Sequence, residues 1–91
     1  MANHESAVKA HRQSKKRALR NRNIKSKVKT FISKVEDLVK RQNLDIALPA
    51  FRAAESEIMK SVTKGILKLN TASRKVSRLA KKIKVLESAN L

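Results

Sequence analysis

Ile24, Val28, Phe31, Ile32, Val35, Leu38 and Val39 recur at the spacing of one face of an α-helix. No Gly or Pro interrupts residues 4–41, and the Ala, Lys, Arg and Gln that fill them favour helix. One helix is therefore predicted over this span, with Asn3 as its N-cap and Glu5 favourably placed in the first turn. At ~1.5 Å per residue it would be about 57 Å long, more than a small bundle can cover. Before residue 24 the stripe vanishes, leaving Ala7, Val8, Ala10, Ala18 and Leu19. That half of the helix is expected to project.

A break is expected at Gln42-Asn43-Leu44. Asp45 is the next N-cap candidate, and Pro49 is tolerable within the first turn that follows. Leu44, Leu48, Phe51, Ala54, Ile58 and Val62 form a second stripe. Gly65 marks a second hinge, after which Asn70 or Thr71 is expected to cap a third helix. There Leu69, Ala72, Val76, Leu79, Ile83 and Leu86 share one face. Arg74, Lys75, Arg78, Lys81 and Lys82 fall on the other side, inside a wedge of roughly 120°. The expected architecture is an all-α three-helix bundle in a single domain, residues 1–91. Residues 24–91 make the bundle, and residues 1–23 are a basic arm projecting from helix one.

Composition narrows the function. One Gly, one Pro and two aromatic rings, Phe31 and Phe51, argue against a sheet and against RNA recognition by stacked aromatics. The absence of cysteine removes disulfides, zinc knuckles and thiol chemistry and fits a reducing compartment. No run of 18 apolar residues is present, so no membrane-spanning segment is expected. The first residues lack an apolar signal core and are read as mature protein.

Charge is the largest departure from the ordinary. Lys and Arg number 23 against 7 Asp and Glu, a formal excess of +16. The acids gather in the middle, where residues 42–59 hold only Arg52 against Asp45, Glu55 and Glu57. Self-repulsion on this scale implies a polyanionic partner. It also implies that residues 1–23, which have no core to join, stay largely disordered until that partner neutralises them.

Catalysis finds no foothold. His4 and His11 stand seven apart with no carboxylate motif beside them, and read as exposed helix histidines. Glu36, Asp37, Glu55 and Glu57 read as caps and surface partners, Asp37 being within reach of Lys34, Lys40 or Arg41. Gly65 stands alone, so there is no phosphate-cradling loop. The expectation is no enzyme, no cofactor, no metal and no small-molecule substrate. Lys9, Arg12, Lys15, Lys16, Arg17, Arg20, Arg22 and Lys25 instead point all round the first helix. A protein facing one duplex needs one basic stripe, whereas cations on every side suit insertion between several phosphate backbones. Asn21, Asn23 and Asn70 could add hydrogen bonds to 2′-hydroxyls or base edges. The bland alternatives are a solvated helix or an import-type cluster at Lys15-Lys16-Arg17. A nucleoid-type DNA binder would share the charge, but no helix-turn-helix signature or dimer seam is evident. A membrane-surface protein would need bulky apolar residues beside the arm, and residues 1–23 lack them.

The chain resembles a known family. Met1-Ala2-Asn3, Ser6-Ala7 with Lys9, Asn21, Ser26 and Lys29-Thr30-Phe31-Ile32 followed by Lys34-Val35 are similar to bacterial small-subunit ribosomal protein S-twenty. So is Lys64-Gly65-Ile66-Leu67-Lys68-Leu69-Asn70-Thr71-Ala72-Ser73-Arg74-Lys75, continuing to Ser77-Arg78-Leu79. The likeness covers nearly the whole chain. It departs from the family at Lys68 and Leu69, where His and Lys are common, and at Val76, where a basic residue is. Lys68 keeps a positive charge, while Leu69 and Val76 are on the expected packing face. The resemblance implies a monomeric constituent of the ribosomal particle, in the cytoplasm of a bacterium or, second, a plastid. It implies direct, early binding of 16S-type ribosomal RNA at the 5′ domain and the long penultimate helix, with helix one threaded among RNA helices. Lys9, Arg12, Arg17, Arg20, Lys29, Lys64, Asn70, Arg74 and Arg78 are the RNA-binding positions that it implies, and Lys68 is kept as an RNA-binding candidate for its charge. Lys15, Lys16, Arg22, Lys25, Lys75, Lys81 and Lys82 rest on the helix geometry.

Overall fold

The computed structural model describes residues 2–89, with side chains from residue 5 onward. Three helices follow one another: α1 (Ala2–Lys40), α2 (Leu44–Thr63) and α3 (Leu69–Ala89). No strand occurs among the described residues. α1 is already helical at Asn3, the position expected to cap it. The side chains of Asn3 and His4 lie outside the described residues.

The core forms where the three apolar stripes meet. Val28, Val35, Ala47, Ala54, Ile58, Ala72, Leu79, Ile83 and Leu86 are its buried members. Phe31, Ile32, Leu38, Val39, Leu44, Leu48, Phe51, Val62 and Val76 pack against them from partly exposed positions. Three of the buried residues are alanines at 0% exposure, which lets the helix backbones approach closely. Ser61 is buried as well, and its Oγ donates to the Glu57 carbonyl at 2.9 Å, so no polar cost is left open.

Two expectations about the core need correction. Leu69, expected on the packing face, is 58% exposed. It is the first residue of α3, and Leu67 from the preceding turn packs against the core. Ile24 is only half-buried, and the first buried residue of α1 is Val28, one turn later.

Both interhelical turns close by the same device. After α1, the Asn43 N–H donates to the Leu38 carbonyl at 3.1 Å and the Gln42 N–H to the Val39 carbonyl at 3.0 Å. After α2, the Ile66 N–H donates to the Ser61 carbonyl and the Gly65 N–H to the Val62 carbonyl, both at 2.9 Å. This pairing satisfies the last carbonyls of a helix and needs a left-handed residue just past its end. Gly65 meets the need at φ 76, and Gln42 meets it at φ 58 with a side chain attached. A Cβ at Gly65 would meet nothing within 4 Å, so backbone conformation rather than crowding selects glycine there.

The starts of α2 and α3 lie earlier than expected. Asn43, not Asp45, is the N-cap of α2, and it makes no side-chain capping bond. Asp45 is in the first turn, where its charge favours the helix dipole. Pro49 consequently falls in the second turn, where its missing N–H leaves the Asp45 carbonyl without a helical donor. α3 opens with the Ala72 N–H donating to the Lys68 carbonyl at 3.0 Å. Asn70 and Thr71 therefore lie inside its first turn rather than capping it.

The molecule is elongated. Its longest dimension is 70 Å and its radius of gyration 18.2 Å, against roughly 12 Å for a compact chain of this length. The excess is the N-terminal half of α1, where every residue from 5 to 20 is exposed. This arm continues the helical course of α1 from the bundle outward. Its helix extends one already nucleated by the bundle, so only propagation through good helix formers is required.

Candidate nucleic-acid interface

Continuity of α1 sets the layout of the arm. Lys9, Arg12, Lys15, Lys16, Arg17, Arg20 and Arg22 are all exposed, and none of them has a carboxylate of a described residue within ion-pair distance. Between Glu5 and Glu36 the chain contains no acid at all, against eleven Lys and Arg. Gln13, Lys16, Arg17 and Arg20 share one shallow surface recess. Glu5, Val8, Lys9 and Arg12 share another, nearer the tip. The cations thus surround the rod on successive turns, as the sequence spacing requires.

The second group sits at the bundle. Packing of α3 against α1 leaves a furrow of about 470 Å³ bordered by Ile32 and Glu36 on one side and Lys75, Arg78, Leu79, Lys81 and Lys82 on the other. A smaller recess of about 180 Å³ continues it along Lys25, Val28, Lys29 and Leu67, sharing Ile32 and Lys75. Residues some fifty positions apart in sequence therefore converge on one cationic cleft. The α3 wedge does not point straight away from the bundle; it leans toward α1, and Lys75 is half-buried. Arg74 is exposed on the same helix outside the furrow. At the α2–α3 turn, Lys64, Lys68 and Asn70 are exposed beside the start of α3, whose first turn holds no acid.

Ion pairs sort the cations. Glu57 engages Lys27 at 3.8 Å and Lys60 at 3.9 Å, tying α1 to α2. Arg41 pairs with Asp37 at 3.2 Å, the local partnership anticipated from spacing. Lys82 donates to Glu36 at 3.1 Å across the furrow. Lys34 instead lies 5.9 Å from the centre of the Phe31 ring, within range of a cation–π attraction. Among the candidates, Lys82 alone has an ion-pair partner among the described residues.

The furrow is what sequence reasoning missed. Ile32 at its floor reads as ordinary core, and nothing local shows that Lys25 and Lys29 face Lys75. Only the register between α1 and α3 brings them together.

The arrangement offers charge and shape rather than reactive groups. No cluster of three or more His, Asp or Glu able to hold a metal ion occurs among the described residues. No helix among them is long and apolar enough to cross a membrane.

Comparison with known proteins agrees in extent with this layout. A protein from Azorhizobium caulinodans named small ribosomal subunit protein bS20 is 52% identical over 84 residues, 92% of this chain and 96% of its own. Its namesake from Xanthobacter autotrophicus is 51% identical over 89 residues, 98% of this chain and 100% of its own. Another, from Rickettsia felis, is 52% identical over 89 residues, 98% of this chain and 99% of its own. The family model described as ribosomal protein S20 matches residues 2–84, the whole of α1 and α2 and most of α3, and the chain belongs to that family.

Proposed function

We propose that this protein is a non-enzymatic constituent of the small ribosomal subunit that binds 16S-type RNA directly and braces several RNA helices. One observation carries the reading: the chain holds no acid between Glu5 and Glu36, and residues 5–20 of that stretch form a helical rod exposed and cationic on every side. Each Lys or Arg that meets a phosphate releases condensed counterions, and a rod that does so on all sides lets separate backbones approach one another. The bundle adds a second, fixed set of cations at the other end of the molecule. Family membership supports the ribosomal setting, with the 5′ domain and the penultimate helix as the RNA segments engaged. In this reading one copy serves each particle, in the cytoplasm of a bacterium, without a cofactor or small-molecule ligand.

The test is sedimentation of a cell extract at moderate salt. The protein is expected to run with small ribosomal subunits and to leave them at high salt. Recovery only at the top of the gradient at every salt concentration would refute the proposal.

A further inference from the structure

We propose that the furrow between α1 and α3 holds an unpaired stretch of RNA, whereas the arm tracks the phosphates of duplexes. The inference rests on the RNA-binding function proposed above. It comes from the shape and chemistry of the cleft.

The two regions present their charge differently. The arm is a bare convex helix, which can lie against or between the outer backbones of duplexes. The furrow is concave, with the half-buried Ile32 at its floor above the buried Leu79 and cations along its length: Lys75 and Arg78 on α3, and Lys25 and Lys29 on α1 where the smaller recess continues it. Packed helix axes lie about 8–10 Å apart. A duplex cannot enter such a slot; it would rest on the rims and leave the exposed part of Ile32 wet. A single strand can enter. Its sugar and base faces would cover the half-buried Ile32 while consecutive phosphates met the two rims. No aromatic ring lines the furrow, so the flat surface available to a base is the Arg78 guanidinium.

The ends of the furrow give the strand a direction. At one end Lys82 and Glu36 join hands at 3.1 Å, and the carboxylate there opposes the passage of a phosphate. The other end opens beside Leu67 and Lys25, toward the root of the arm. A strand held in the furrow therefore leaves it where the arm begins, and the duplex segments on the arm can be continuous with it.

The chain has no cysteine, so single cysteines can be placed at will. Full-length Lys29→Cys and Arg78→Cys, one on each rim and both at exposed positions, are labelled with a photoactivated crosslinker and assembled into small subunits. Arg17→Cys on the arm is the reference. The expected result is that both rims crosslink to the same short run of nucleotides, and that this run reacts as unpaired in chemical probing. Crosslinks to base-paired nucleotides, or to two unrelated segments, would overturn the furrow assignment. So would silence from both rims while Arg17→Cys still crosslinks, and in that case direct RNA binding stands. Silence from all three positions in assembled particles would remove the RNA-binding reading itself.

Discussion

Lys82 and Glu36 bridge α3 and α1 with a 3.1 Å hydrogen-bonded ion pair whose side chains remain 48% and 42% exposed. A pair this open to solvent contributes ~0–1 kcal/mol to stability. Its larger effect is on the charge available to RNA. Glu36→Gln is expected to leave the unfolding free energy within about 1 kcal/mol of the parent. It should tighten RNA binding at low salt and steepen the salt dependence by roughly 0.7–0.9 in log–log slope, one further phosphate contact. Filter binding over a salt series, with a denaturant titration alongside, measures both. An unchanged slope would mean that Lys82 meets no phosphate.

For the parent protein, neutralisation of about ten phosphates predicts a slope of roughly −7 to −9. Arg74→Ala with Arg78→Ala is expected to weaken binding by roughly 3–6 kcal/mol, two charge-assisted contacts. Helical circular dichroism should be unchanged, because both side chains are exposed.

Core substitutions should rank by burial. Ile58 is fully buried, so Ile58→Ala is expected to cost about 2–5 kcal/mol, enough to unfold much of a bundle this small. Phe31 is only half-buried, and Phe31→Ala should cost visibly less than Ile58→Ala. Thermal melts followed by circular dichroism give the order, and a reversal would contradict the packing described above.

The two left-handed residues should respond in opposite directions. Gln42 at φ 58 carries a side chain in a region that glycine occupies freely, so Gln42→Gly is expected to stabilise by about 0.5–1 kcal/mol. Gly65→Ala should destabilise by about 1 kcal/mol through strain alone, since space for the methyl exists. Chemical denaturation of the two variants tests the pair.

Hydrogen exchange should divide α1. Amides at residues 5–20 have no tertiary packing to protect them and are expected to exchange far faster than those around Val28 and Val35. Adding small-subunit RNA should slow the arm specifically. Strong protection of the arm in the free protein would show that it needs no partner to hold its shape.

The three-helix layout was legible because each apolar stripe keeps a helical period over several turns. Val28, Val35, Ile58, Leu79, Ile83 and Leu86 could be assigned to the core from spacing alone. Helix ends were read less well. Asp45 and Asn70 look like caps by residue type, but the turns are closed by backbone bonds from Asn43 and Ile66 that no propensity announces. Leu69 was misplaced for the same reason: shifting the start of α3 changes which residue begins the buried face. Ala47 and Ser61 were missed because small or polar residues carry little pattern signal. For the interface, exposure of the arm followed from its lack of a stripe. The meeting of Lys29 with Lys75 did not, since it depends on how two distant helices are set against each other.

The unbroken course of α1 from Ala2 to Lys40 makes it a phased rod. Each residue removed between Arg20 and Val28 would rotate everything beyond it by about 100° and draw it in by ~1.5 Å. Loss of one residue there would point the tip cations in the wrong direction while leaving their number intact. Loss of seven would return them to within about 20° of their original bearing, at a cost of only ~10 Å of reach. Spacing between the two charged ends is thus tuned in angle before it is tuned in length.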